Sequence, residues 1–295
     1  MKHYGLPISI SILLTVATLT GCGNKTQNET SDNTKADTTE SVANETSEEK
    51  QEEFKTKKIT KKTKNSSGNY ELIIDFPEEG NAILVNAIRE YICESLGSTY
   101  GGGEEETKMG SYSGDLADGE QMAKYYFDIK VAEFDKMYKE MKDDGRPDMP
   151  QLESSTKITR DYESDNVITY TFNSYENAGG AHGGSVSSGM TFRKSDGRRI
   201  GWELFSTVKM QSILRNGLKE YFEVKTDEEL EACLSLSNSY YIPMPTTPPI
   251  FTKKGILVIY QQYEIAAYAS GMPSFIISYK NAKKMLNSTG KKLLP

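Results

Sequence analysis

The sequence predicts an α+β fold: two β-rich subdomains, each with helices packed on an antiparallel or mixed sheet. Three observations lead there. Apolar residues recur at helical spacing over 83–92 and 122–141. Over 70–76, 154–175, 185–192 and 250–277 they instead alternate or run in short blocks bounded by Gly, Pro, Asn and Asp. The two kinds of segment cluster separately rather than repeating as β-α-β units, which sets this chain apart from an α/β fold.

The chain has 295 residues, a formal net charge of −7 and 36% hydrophobic residues. No basic stripe is available to neutralise phosphates, so nucleic acid is excluded as a partner. Residues 1–22 read as a lipoprotein signal peptide. Lys2 and His3 precede an apolar run over 8–16 that is short for a bilayer, and Leu19-Thr20-Gly21-Cys22 resembles a bacterial lipobox. A lipid on Cys22 would anchor the protein to a membrane without crossing it. The expected location is extracytoplasmic, on the cell envelope. Gly23 stands where an aspartate would retain a lipoprotein, which favours the outer membrane in a diderm cell.

Residues 23–67 are rich in Thr, Asn, Ser, Glu and Lys, with Phe54 as their aromatic residue, and are expected to form a disordered tether. Their lysines from Lys55 to Lys64 can be read as a solvated run or as a patch for anionic polymers, and the solvated reading is preferred. What remains is about 230 residues, enough for one large domain or two smaller ones. The expected division is an N-terminal α+β subdomain over 68–178 and a C-terminal one over 179–295.

A strand is expected over 70–76, ended by Pro77 and Gly80. Asn81 caps a helix that Gly97 stops, and 101–106 is a glycine-rich loop. A second helix covers about 118–141. Segments 154–162 and 167–175 form a hairpin. Residues 185–192 and 199–202 form another, turning at Asp196-Gly197. A helix over 207–222 is followed by a shorter one, which Thr226 and Glu229 open as a capping box. The prolines Pro243, Pro245, Pro248 and Pro249 form a rigid connection into a hairpin over 250–252 and 256–262. A strand at 275–277 and a helix near 281–286 complete the chain.

The candidate functional residues lie in two loops. Gly179-Gly180-Ala181-His182-Gly183-Gly184 frames a histidine with glycines, which persist where φ is positive or where another group lies close to the backbone. This loop is expected to join the two subdomains. His182 can act as a base, as a contact residue, or as a structural donor and acceptor for backbone groups. In the second loop, Tyr263, Glu264 and Tyr268 could hold a sugar or a basic protein. The structural alternative is a tyrosine-braced turn whose glutamate accepts backbone N–H bonds. His182 and Glu264 are also the candidate catalytic pair of an enzyme acting on peptidoglycan or another glycan. One histidine and two cysteines beyond the lipobox cannot build a usual zinc site, so no metal and no other cofactor is expected. Cys93 and Cys233 can bridge in an oxidising compartment, although Cys93 lies at the edge of an apolar stripe where a free thiol packs well.

Three pieces carry a resemblance: Gly179-Gly180-Ala181-His182-Gly183, Leu204-Phe205 preceded by Glu203, and Tyr263-Glu264-Ile265-Ala266 with Tyr268-Ala269 and Gly271. Together they resemble the RsiV-like extracytoplasmic domain, found in lysozyme-sensing anti-sigma factors and beside the catalytic domain of some peptidoglycan deacetylases. The resemblance spans about 70–286. Glu203 replaces the usual aspartate, Ala267 the usual proline, and the 243–249 connection is longer. Neither a cytoplasmic segment for a sigma factor nor a histidine-rich deacetylase motif accompanies it. The resemblance therefore implies a binding module for an extracellular protein such as a lysozyme-like hydrolase, or for an envelope glycan.

Overall fold

The computed structural model describes residues 53–98, 112–145, 151–236 and 240–295. The leader with Cys22, most of the expected tether and the 101–106 loop lie outside the described residues. Eight strands form two sheets, which together with the helices make the α+β fold. Among the described residues no helix is long and apolar enough to cross a membrane.

The first sheet has the order β1 (Lys55–Lys64), β2 (Gly68–Glu79), β3 (Leu152–Glu163), β4 (Val167–Asn177), β5 (Gly184–Arg193). All its pairings are antiparallel except β2 with β3, which run parallel. A parallel pair needs a long crossover. Here α1 (Ala82–Gly97) and α2 (Gly119–Asp143) supply it. The Asn81 side chain starts α1 by accepting from the amides of Ile83 (3.0 Å) and Leu84 (3.2 Å), and Asp118 starts α2 by accepting from Gln121 (2.9 Å). Leu84, Ile88, Ile92, Met122 and Tyr126 of these helices pack with Leu72, Ile74, Ile158, Tyr170 and Phe172 of the strands in the first core. Each such large apolar side chain stabilises the fold by roughly 1.5–3 kcal/mol relative to its exposure. Strand residues alternate between faces, so this core takes one face of the sheet and leaves the other polar.

The second sheet, β6 (Ile250–Thr252), β7 (Gly255–Ile259) and β8 (Ser274–Ile277), is antiparallel. Helix α3 (Thr207–Phe222) presents Met210, Leu214 and Leu218 to the second core, and the Phe275 ring of β8 lies where a Cβ on Gly217 would be. Thr226 and Glu229 form the expected capping box of α4 (Asp227–Cys233). The chain ends in α5 (Tyr279–Met285) and α6 (Ser288–Lys291).

Three expectations need correction. First, the end of the supposed tether is ordered: Lys55–Lys64 is a ten-residue edge strand paired along its length with β2. Its composition reads as solvated because Ile59 is its one buried side chain, and Phe54 packs on the first core just before it. Four of its six lysines are paired with acids. Lys55 pairs with Glu79, Lys57 and Lys61 with Glu120, and Lys62 with Glu71. Lysines along an edge also deter pairing with another chain.

Second, the expected boundary at 178/179 cuts through a hairpin. β4 and β5 pair from Val167–Arg193 to Glu176–Gly184, so 179–184 is a turn within the first sheet, not a junction of subdomains. The described residues all fall in one compact unit, and the second core begins with Val167 and Ile200. Third, 199–202 makes only a bridge, Phe192 with Arg199, before a single 3-10 turn at Trp202–Leu204. The Trp202 indole there donates to the Thr247 carbonyl (2.9 Å) instead of extending a ladder.

The two sheets are joined on the face of β4 and β5 that the β6 segment covers. The buried Thr191 hydroxyl accepts from the Phe251 amide (3.0 Å), donates to the Pro249 carbonyl (3.3 Å) and meets the Thr169 hydroxyl (3.0 Å), which can then be the donor. One donor and two acceptor sites are thereby filled, the full capacity of a hydroxyl. Replacing Thr191 by the near-isosteric valine strands three buried polar groups. Thr191→Val is expected to lower unfolding free energy by about 1–3 kcal/mol. Urea unfolding checks this, and an unchanged midpoint would contradict the assignment.

Candidate functional site

The two candidate loops meet. The β4–β5 turn is shaped by two of its four glycines. Gly179 has φ +80, and its amide donates to the Asn177 side chain (3.0 Å). A Cβ on Gly183 would fall 2.6 Å from the Tyr175 ring, so only glycine lets that ring lie against the backbone. Gly180 and Gly184 have no such constraint.

His182 is exposed and lies flat on Tyr268, with ring centroids 4.0 Å apart and planes 22° apart. The Tyr268 hydroxyl donates to the Gly183 carbonyl (2.6 Å), tying the second loop to the first. Tyr263, 66% exposed, is tilted against Tyr268 with ring centroids 5.6 Å apart. Three aromatic rings, His182, Tyr268 and Tyr263, thus form a continuous solvent-facing ledge. Such rings offer large rigid area at low entropic cost, the property that makes them effective in binding.

Tyr263 is held in the left-handed region at φ 66, a conformation that costs a non-glycine residue on the order of 1–2 kcal/mol. Glu264 fixes it there. One carboxylate oxygen accepts from the Gln261 amide (2.7 Å), the other from the Thr246 amide (2.7 Å), and the Glu264 amide donates to the Gln261 carbonyl (3.1 Å). The carboxylate therefore clamps the turn onto the proline-rich segment. Tyr260 strengthens the same clamp: its hydroxyl donates to the Pro243 carbonyl (2.8 Å), and burial pushes the phenol well above its ordinary range, keeping it neutral. Ala267 has φ −62, the value a proline would impose, so alanine here keeps the backbone path that a proline would take.

Of the sequence-predicted residues, His182, Tyr263 and Tyr268 are brought together as one surface. Glu264 lies beneath them as a brace, with both oxygens engaged by backbone amides. Cys22 lies outside the described residues. Cys93 and Cys233 are free thiols; Cys93 packs on the first core, with its sulfur 3.5 Å from the Tyr126 hydroxyl. Among the described residues no group of three or more His, Cys, Asp or Glu side chains is placed to hold a metal ion.

Sequence reasoning missed the glutamines. Gln261 donates to the Ser187 carbonyl (2.7 Å) and accepts from its amide (3.3 Å), as a neighbouring strand residue would. Gln262 accepts from the Ser185 amide (3.0 Å). Their adjacency to Tyr263-Glu264 was visible in the sequence, but their partners about 75 residues away were not, since backbone pairing by a side chain has no periodic signature.

Comparison with known proteins finds likeness of fold and assigns no activity. Residues 208–280 match the model of a protein family of unknown function, DUF3298. Among solved structures, the chain is similar to a DUF3298 member from Bacteroides fragilis NCTC 9343, with 20% identity and a TM-score of 0.57 over 80% of this chain and 94% of that one. A DUF3298 protein from Pseudomonas aeruginosa PAO1 is similar at 13% identity and a TM-score of 0.50, over 83% of this chain and 96% of that one. At these identities the likeness is one of fold. No match is found among curated proteins.

Glu264→Gln replaces one of two acceptor oxygens with an NH2 group facing a backbone N–H. It is expected to destabilise the protein by about 1–3 kcal/mol. A thermal melt checks this. Unchanged stability would mean that the carboxylate is not the clamp described.

Proposed function

We propose that this protein is a non-enzymatic binding module of the cell envelope, anchored through a lipid on Cys22 and binding an extracellular protein of the lysozyme-like hydrolase class. One observation carries the binding reading: His182 stacks on the half-buried Tyr268 and exposed Tyr263 tilts against it, forming an aromatic ledge, while Glu264, the acid that a catalytic reading needs, is occupied by two backbone amides. The resemblance of both loops to RsiV-like domains supports the choice of partner. So does the net charge of −7, which would steer a basic enzyme toward the module. The lipobox at Leu19-Thr20-Gly21-Cys22 supports an extracytoplasmic, membrane-anchored location, and the polar stretch from Gly23 to the start of β1 supports reach away from the membrane.

Titration of the full chain with lysozymes tests this reading. Binding is expected at low salt, weakening as salt rises. His182→Ala, an exposed substitution on the ledge, is expected to raise Kd about tenfold with the melting temperature unchanged. Absence of binding at low salt would overturn the lysozyme version. Turnover of cell-wall fragments, lost in His182→Ala while folding is kept, would replace the binding reading with the enzymatic one.

A further inference from the structure

Helices α1 and α2 leave one face of the first sheet uncovered. Register places its residues in rows across all five strands. Thr60, Ile73, Lys157, Asn173 and Ser187 are successive partners, and Lys62, Glu71, Ser155, Tyr175 and Ser185 form the adjacent row. At about 4.8 Å per strand, each row runs about 19 Å, room for several linked sugar rings. The far end of this face is already covered, since Val167, Thr169 and Thr191 are buried beneath the second core and the β6 segment. The two named rows stay at least partly exposed, with Thr60, Lys62, Lys157 and Asn173 the most open.

The charges on this face suit a neutral occupant. Its lysines, Lys58, Lys62, Lys64 and Lys157, are balanced in number by Glu71, Asp75, Glu153 and Asp161. Glu71 pairs with both Lys62 and Lys157, and Asp161 is engaged by the hydroxyls of Thr159 (3.0 Å) and Thr171 (2.7 Å). No net field is left to recruit a charged polymer. What remains is hydrogen-bonding capacity on amides and hydroxyls. The Ser187 hydroxyl donates to the Asn173 carbonyl oxygen (2.8 Å), which turns the Asn173 NH2 outward as a donor and leaves the Ser187 oxygen as an acceptor. Beside them Tyr175 lies against Gly183, and through Gly183 the face continues into the His182–Tyr268 ledge. Paired donors and acceptors next to aromatic rings match the hydroxyls and the apolar C–H faces of a sugar.

We propose that the Lys157–Asn173–Ser187 row, with Tyr175 at its border, binds a neutral, hydroxyl-rich glycan strand. The inference rests on the binding reading proposed above and adds a second ligand on a different surface. Its test is titration of the isotope-labelled full chain with a tetramer of N-acetylglucosamine and a tetramer of glucose, followed by NMR, with a lysozyme titration alongside. At least one tetramer is expected to shift the amides of Lys157, Asn173, Tyr175 and Ser187. Asn173→Ala combined with Ser187→Ala is expected to raise its Kd about tenfold while melting temperature and lysozyme binding stay unchanged. Lysozyme binding with no response to either tetramer at millimolar concentration would overturn the glycan surface and leave the binding reading standing. An equal Kd in the double variant would also overturn it. No binding of either kind would remove both.

Discussion

The architecture depends on how the outer edge of β5 is closed. An edge strand exposes unpaired amides and carbonyls, and most proteins blunt or cover it. At the other edge of the same sheet, β1 does this with lysines held by acidic partners. At β5 the C-terminal half of the chain does it with side chains. Gln261 pairs with both backbone groups of Ser187 and Gln262 takes the Ser185 amide, while the Thr191 carbonyl takes the Ile200 amide (2.8 Å). Two side chains thus stand in for part of a sixth strand. They also make the second sheet and its helices continuous with the first.

The geometry of the proposed binding ledge follows from that closure. Because Gln261 and Gln262 are fixed against β5, the residues after them, Tyr263 and Glu264, must turn back sharply, and the left-handed backbone at Tyr263 is the result. Glu264 holds the turn from below and Tyr268 ties it to Gly183 from the side. Rings from segments some eighty residues apart come to stack in solvent as a consequence. A ledge supported in this way is preorganised, so a partner that lands on it loses little ordering entropy.

Much of this was legible in the sequence. Helical periodicity located α1 and α2, and the caps at Asn81 and Thr226 act through the side chains their residue types suggested. His182, Tyr263 and Tyr268 were recognisable because glycines and aromatics cluster about them. Two things were hidden. The strand Lys55–Lys64 carries one buried apolar residue, and its order comes from pairing with β2, which composition does not register. The place of the 179–184 turn was hidden as well, because a glycine-rich hairpin loop and a linker between domains share the same residues, and only the register of β4 with β5 separates them. The open sheet face went unnoticed for a related reason: its rows form across strands, at right angles to the order in which a sequence is read.

The most direct test of the edge-closure account is amide hydrogen exchange at Ser185 and Ser187, comparing the native chain with Gln261→Ala. The account predicts that both amides are protected in the native chain and that Ser187 loses its protection selectively in the variant, with the β4-facing amides of β5 unaffected. Fast exchange at Ser187 in the native chain, or unchanged protection in Gln261→Ala, would contradict it.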